Sequence, residues 1–189
     1  NSFTVFNAGS SPVVGTSTPT GVAFFNGDTV GNRFLIADWA PNTGAGGVFL
    51  TANGGTTFTR FHNASAVTTP GNAARAVGFF NGDTTGNTWL AAFDNNLGGA
   101  GGLLRTTDSL ATAGNRTIWN TASTPALPVN DVSAVAWSTL ANRFLAGTDN
   151  AGLVYTTNGG TGAGGFTTLN TGSTPALASI GVNSVAWFA

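Results

Sequence analysis

Short apolar runs punctuate this chain, and each returns at a nearly constant distance. Val22-Ala-Phe-Phe25 is answered by Val77-Gly-Phe-Phe80, Val135-Ala-Trp-Ser138 and Val185-Ala-Trp-Phe188. Behind the first three lies a second run. Asn32, Phe34 and Leu35 recur as Asn87, Trp89 and Leu90, then as Asn142, Phe144 and Leu145, at intervals of 55 residues. A third run opens on glycine: Gly47-Val-Phe-Leu-Thr51, Gly102-Leu-Leu-Arg-Thr106 and Gly152-Leu-Val-Tyr-Thr156. A fourth closes each unit as Phe58-Thr-Arg-Phe61, Thr117-Ile-Trp119 and Phe166-Thr-Thr-Leu169, with an extra copy, Phe3-Thr-Val-Phe6, near the amino terminus. Runs this short, rich in Val, Phe, Trp and Thr and separated by Asn-Gly, Gly-Gly and Asn-Gly-Gly, read as strands joined by tight turns.

Four antiparallel strands in ~40–50 residues make one blade of a β-propeller. The spacing therefore predicts an all-β chain with about three and a half four-stranded blades, an incomplete or open propeller. It forms a single repeat array over 1–189. Residues 1–20 hold the last-type strand of a preceding blade, 21–74, 75–131 and 132–181 one blade each, and 182–189 the first strand of a following blade. The repetition has a physical cause. A lone four-stranded sheet exposes two apolar faces, and stacking around an axis buries both only if every unit offers its neighbours the same shape. Phe24, Phe79, Trp137 and Trp187 share one slot expected to pack between blades. Burying each contributes about 1.5–3 kcal/mol before entropy. An open stack leaves sheet edges and an apolar face uncovered. Either the residues belong to a longer polypeptide, the favoured reading, or another chain completes the ring.

Composition agrees with strands and excludes several functions. Only 7% of the 189 residues are charged, against roughly 25% in ordinary proteins. Lys, Glu, Gln, Met and Cys are all absent, which removes most of the long, straight helix formers. Without cysteine there is no disulfide and no thiolate metal site. A net charge of −1 gives no basic footprint for nucleic acid. No apolar run approaches the ~18 residues of a membrane span. The missing initiator Met points to a processed or partial chain. Solubility resting on Thr, Asn and Gly fits a secreted or cell-surface protein, extracellular or periplasmic.

Thr51-Ala-Asn-Gly-Gly-Thr-Thr-Phe58 resembles the Asp-box, or BNR repeat, a Ser/Thr-x-Asp-x-Gly-x-Thr-Trp turn. That turn recurs in the propellers of sialidases, sortilin-type receptors, xyloglucanase-like glycoside hydrolases and the photosystem II assembly factor. Residues 144–161, FLAGTDNAGLVYTTNGGT, are especially similar to these. The resemblance implies structural roles for Thr51, Asn53, Gly55, Thr57 and Phe58, for Thr106 and Asp108, and for Thr156, Asn158, Gly160 and Phe166. Side-chain oxygens would accept backbone N–H bonds, glycines would take positive φ, and the aromatic would pack beneath. The motif is degenerate. Asn53 and Asn158 replace the Asp, Gly-Ala-Gly-Gly separates Thr161 from Phe166, and Asp108 is followed by Ser-Leu-Ala-Thr, predicting a longer turn.

A catalytic residue should occur once, whereas a structural one returns with the repeat. Asp28 and Asp83 share the FFNGDT slot and read as turn residues, not as a Ca²⁺ site. Asp38, Asp94 and Asp149 share a slot at the end of the second strand, on the side where propellers bind ligands. With Trp39, Asn95 and Asn150 they are the candidate binding residues, although hydrogen bonding to the Gly-rich loops competes with that reading. Trp39 beside Asp38 is the best lectin-like feature, an exposed aromatic face next to a carboxylate. His62 stands where other units have Asn7, Asn120 and Asn170, an edge-turn position. Asp131 precedes a first strand and reads as a solvated loop residue. Arg33 and Arg143 share a slot, while Arg60, Arg75, Arg105 and Arg116 are scattered and read as surface charges.

Enzymatic relatives fare poorly. A sialidase needs an arginine triad, a Tyr nucleophile and a Glu; here Glu is absent and the sole Tyr155 lies mid-strand. A glycosidase needs two carboxyl groups tuned apart, which symmetric positions do not provide. Neither a Gly-x-Ser-x-Gly elbow nor a phosphate-loop lysine is present. Asn63-Ala-Ser65 and Asn115-Arg-Thr117 are possible glycosylation sequons. The expectation is a non-enzymatic extracellular scaffold or binding module, a portion of a larger propeller or complex, with no catalytic residue, cofactor or metal. Its partner is a protein or a second copy completing the propeller, with a glycan as a possible ligand. Two alternatives stay open: a carbohydrate-active propeller, lectin or hydrolase, with key residues elsewhere, and an assembly or accessory subunit.

Overall fold

The computed structural model describes residues 18–40, 46–62, 69–95, 100–138, 143–159, 165–178 and 180–186. They form three four-stranded antiparallel sheets, each with its strands in sequence order. The first holds β1 (Thr18–Phe24), β2 (Phe34–Trp39), β3 (Gly47–Thr51) and β4 (Thr59–Phe61). The second holds β5 (Ala74–Phe79), β6 (Trp89–Phe93), β7 (Gly102–Thr106) and β8 (Arg116–Trp119). The third holds β9 (Val132–Trp137), β10 (Phe144–Thr148), β11 (Leu153–Thr156) and β12 (Thr167–Leu169). The only helical element among the described residues is one 3-10 turn, Ala113–Asn115. The expected strand at 3–6 lies outside the described residues, as does Trp187.

Side-chain alternation along β6 explains why these units stack. Trp89, Ala91 and Phe93 join Phe25, Leu35, Val48 and Phe61 of the first sheet in one core. Leu90 and Ala92 face the other way, into a second core with Val132, Trp137, Phe144 and Val154 of the third sheet. Each core contains the same two aromatic pairs. Phe79 meets Phe25 at 5.5 Å and Trp137 meets Phe80 at 5.2 Å between ring centroids near the inner strands. Farther out, Phe61 meets Trp89 at 5.9 Å and Trp119 meets Phe144 at 5.7 Å. The shared slot thus packs between sheets at Phe79 and Trp137. At Phe24 it does not: Phe24 and Val22 are each 60% exposed, because no sheet among the described residues precedes β1.

The inner strands are tied by a second recurring contact. Thr20 Oγ1 donates to the Ala74 carbonyl at the start of β5 (2.8 Å), and Ser133 Oγ donates likewise to Val182 (2.7 Å). Val182 N–H in turn donates to Thr148 (2.8 Å). Residues 181–186 therefore begin where a fourth first strand belongs, but form no ladder among the described residues.

The loops joining first to second strands are closed by carboxylates. Asp28 accepts from the N–H groups of Val30 (3.1 Å) and Arg33 (2.6 Å), and Asp83 from those of Thr85 (2.8 Å) and Thr88 (2.6 Å). Burial pushes the Asp83 carboxyl up, but the Thr85 hydroxyl and several backbone donors outweigh it and hold it below the usual 3.8. A pKa lowered by folding adds stability above the unfolded value, and that stability is lost as pH falls through the folded one. The thermal midpoint is expected to drop as pH is lowered below about 4, and to drop less steeply in Asp83→Asn. Identical pH profiles for the two proteins would contradict this role.

Candidate functional site

Because strands alternate in direction, the ends of β2, β6 and β10 and the starts of β5 and β9 all lie on one side of the stack. The turns between third and fourth strands lie on the other. Side chains from three sheets meet on the first side. Arg75, near the start of β5, donates through Nε to Asp94 Oδ2 at 2.8 Å, and a second guanidinium nitrogen contacts the same oxygen. Its guanidinium lies 5.6 Å from the Trp39 ring centroid, at the end of β2. It also stands 3.9 Å from Asp149 Oδ2, just past β10. Asp94 is buried, whereas the Asp149 side chain is 41% exposed. Asp131 fastens the loops: its carboxylate accepts from Asn95 N–H (2.8 Å) and its carbonyl from Asp149 N–H (3.2 Å). A guanidinium with a carboxylate counter-ion on one side, an aromatic face on another and a second carboxylate at the rim can hold a polar partner by stacking and charge-assisted hydrogen bonds.

The candidate binding residues divide accordingly. Asp94, Trp39 and Asp149 meet around Arg75, with Asn95 and Asn150 exposed at the rim. Trp39 is half-buried, not the exposed aromatic expected. Asp38 is 1% exposed, and its charge acts on Arg60 instead. Burial pushes the Arg60 pKa down and the Asp38 charge opposes that shift. Arg60 also donates to the Gly46 carbonyl (3.1 and 2.8 Å) and lies over Phe49. His62 is pushed down by burial and by Arg60.

Arg75 and Asp131 differ from expectation: Arg75 is no scattered surface charge but the centre of the cluster, and Asp131 is no merely solvated loop residue but the bond that joins two loops. Arg75 stands two residues before Val77, the slot held by Thr20 and Ser133 before Val22 and Val135. A cation replacing a small hydroxyl in a repeat was the available signal. Like Arg60, Arg33 is held in place by carbonyl and side-chain acceptors. Arg33 donates to Gly86 O (2.9 Å), Asn87 Oδ1 and Ser109 Oγ (both 2.8 Å), clamping the first two sheets on the opposite side.

The turns on that opposite side have a common geometry. Thr51 Oγ1 accepts from Asn53 and Gly55 N–H (3.3 and 3.0 Å), and Asn53 Oδ1 accepts from Thr57 N–H (2.9 Å). Thr106 and Asp108 repeat this with Leu110 and Thr112. Thr156 and Asn158 repeat its first part. Phe58 packs edge-on against Phe34 and Phe49, and Phe166 against Trp119 and Phe144. Gly54 and Gly55 take positive φ, and Ser109 and Leu110 take it in their place (57° and 61°). The middle turn is longer, as expected, through the added 3-10 turn. There Asn115 is exposed and donates to Asp108 Oδ2 at 3.1 Å. Asn63 and Gly160 lie outside the described residues.

Comparison with solved structures decides the architecture. The extracellular domain of the hybrid two component system BT3049 from B. thetaiotaomicron superposes with a TM-score of 0.57 at 19% identity, over 87% of this chain and 20% of that one. The chain has a propeller-type fold. YCF48 bound to D1 peptide superposes with a TM-score of 0.53 at 16% identity, over 89% of this chain and 44% of YCF48. The GH74 enzyme of Niastella koreensis gives 0.51 at 17% identity, over 78% and 22%. The chain thus spans less than half the length of each of these proteins. No protein-family model and no curated protein sequence matches the chain.

Proposed function

We propose that the chain is a non-enzymatic, extracellular binding module, a portion of a larger propeller or complex, whose binding face carries Trp39, Arg75, Asp94 and Asp149. The observation that carries this reading is the meeting of three blades around one guanidinium. Groups fixed by packed sheets lose little freedom on binding, which favours a rigid recognition face. A peptide segment of a protein partner suits it, and YCF48 bound to D1 peptide offers a precedent on the same fold. The extracellular domain of BT3049 supports the location. Asp94 is taken up as the counter-ion of Arg75, a role that favours recognition over acid–base chemistry. The exposed Val22 and Phe24 suit completion of the ring by a further blade or a second chain.

Selection from a phage-displayed random peptide library tests the reading. Selected peptides are expected to lose about tenfold or more in affinity on Arg75→Ala or Trp39→Ala. Peptides indifferent to both substitutions would overturn it. The second reading, a carbohydrate-active propeller, is favoured by the GH74 likeness, with the Trp39 ring and the exposed Asp149 around Arg75, not the buried Asp38, as its aromatic and carboxylate. Glycan-array binding lost in Trp39→Ala/Asp149→Ala supports it, and hydrolysis of any arrayed glycan would end the non-enzymatic account.

A further inference from the structure

The sequence holds four Asn-Gly pairs, at 26–27, 53–54, 81–82 and 158–159. All four asparagines are exposed, yet the structure treats them differently. Asn53 is locked: its Oδ1 accepts from Thr51 Oγ1 and Thr57 N–H (both 2.9 Å) and its Nδ2 donates to Thr57 Oγ1 (2.8 Å). The following Gly54 N–H is engaged too, donating to the Asn32 carbonyl at 2.9 Å. Asn158 shares the first of these bonds, from Thr156 Oγ1. The side chains of Asn26 and Asn81 make no hydrogen bond, and the N–H groups of Gly27 and Gly82 donate none, among the described residues. A Cβ at either glycine would lie 2.6 Å from the ring of Phe25 or Phe80, so the ring would have to shift to admit one.

We propose that Asn26 and Asn81 are sites of spontaneous deamidation in the folded protein, and that the turn around Asn53 protects its own Asn-Gly pair. The Gly27 or Gly82 backbone nitrogen loses its proton and attacks the asparagine Cγ. The Cγ–Nδ2 bond breaks, and the nitrogen leaves as ammonia after taking up a proton. Water then opens the five-membered imide at either carbonyl, leaving aspartate or isoaspartate. The net change is one water consumed and one ammonia released per site, with no oxidant or reductant. Glycine permits the attack because no side chain blocks its nitrogen. At Asn53 the same attack requires the Gly54 N–H bond and the side-chain bonds to open first. Conversion at both sites moves the formal net charge from −1 to −3. It places two carboxylates beside Asp28 and Asp83, the groups whose charges already act on Arg33.

The test is peptide mapping by mass spectrometry of the chain aged in mildly alkaline buffer, folded and in urea. In the folded chain, conversion at Asn26 and Asn81 is expected to be about tenfold or more faster than at Asn53, because four hydrogen bonds of ordinary strength hold the Asn53-Gly54 pair. In urea the pairs are expected to convert at similar rates, because the local bonds are gone. Equal folded-state rates would overturn the proposal. So would intact Asn26 and Asn81 under conditions that convert the urea sample, or a urea sample in which no pair converts.

Discussion

Replacing Trp89 by alanine is expected to cost about 3–5 kcal/mol of folding stability, roughly a fifth or more of the ~5–15 kcal/mol common for a domain. Trp89 is fully buried, and its ring lies between β6 of one blade and Phe61 of the preceding one. Its truncation removes the largest side chain of the first inter-blade core and leaves a cavity walled by two sheets whose backbones are pinned by their own ladders. Collapse around that cavity is hindered for that reason. The exposed Val30, 72% accessible, is the control, and Val30→Ala should stay within about 0.5 kcal/mol of the parent protein. Urea unfolding followed by tryptophan fluorescence and circular dichroism measures both. A Trp89→Ala loss no larger than the Val30→Ala one would sink the packing account.

The second large effect is expected from a residue without a side chain. Gly102→Ala should lose about 2–4 kcal/mol. Gly102 has φ of 109°, and a Cβ built on it would lie 2.1 Å from the Trp119 carbonyl oxygen. That oxygen belongs to the neighbouring strand of the same sheet and cannot swing away as a flexible side chain would. The same collision recurs at Gly47 against Phe61 O (2.2 Å) and at Gly152 against Leu169 O (2.1 Å). The glycine that opens each third strand is therefore a point where the last strand's backbone crosses too close for a methyl group. Gly114, with open space around it, is the comparison, and Gly114→Ala should be nearly neutral. Thermal melts of the two variants check the contrast.

These two positions also show what the sequence makes legible. Slots that recur report contacts that recur, so the strands, their order and the aromatic seams follow from spacing alone. Position, however, modifies a slot. Phe24 has the same chemistry as Phe79 and Trp137 but stays exposed, because burial comes from a neighbour and not from the residue itself. Ser109 and Leu110 hold the positive φ that glycines hold elsewhere, since the hydroxyl of Thr106 and the carboxylate of Asp108 fix the turn regardless. In the cluster at 39, 75, 94 and 149 only Arg75 is hidden, for a different reason. The shared slot at the end of the second strand puts Trp39, Asp94 and Asp149 on one side, but nothing local to Arg75 records that stacking brings it among them.

The most direct measurement is a double-mutant cycle across the first blade interface, using Phe61→Leu and Trp89→Leu so that both single variants and the double variant fold. Stacked blades predict a coupling of about 0.5–1.5 kcal/mol between the two rings. Strict additivity of the two substitutions would contradict it, because residues that do not touch across a shared interface do not couple.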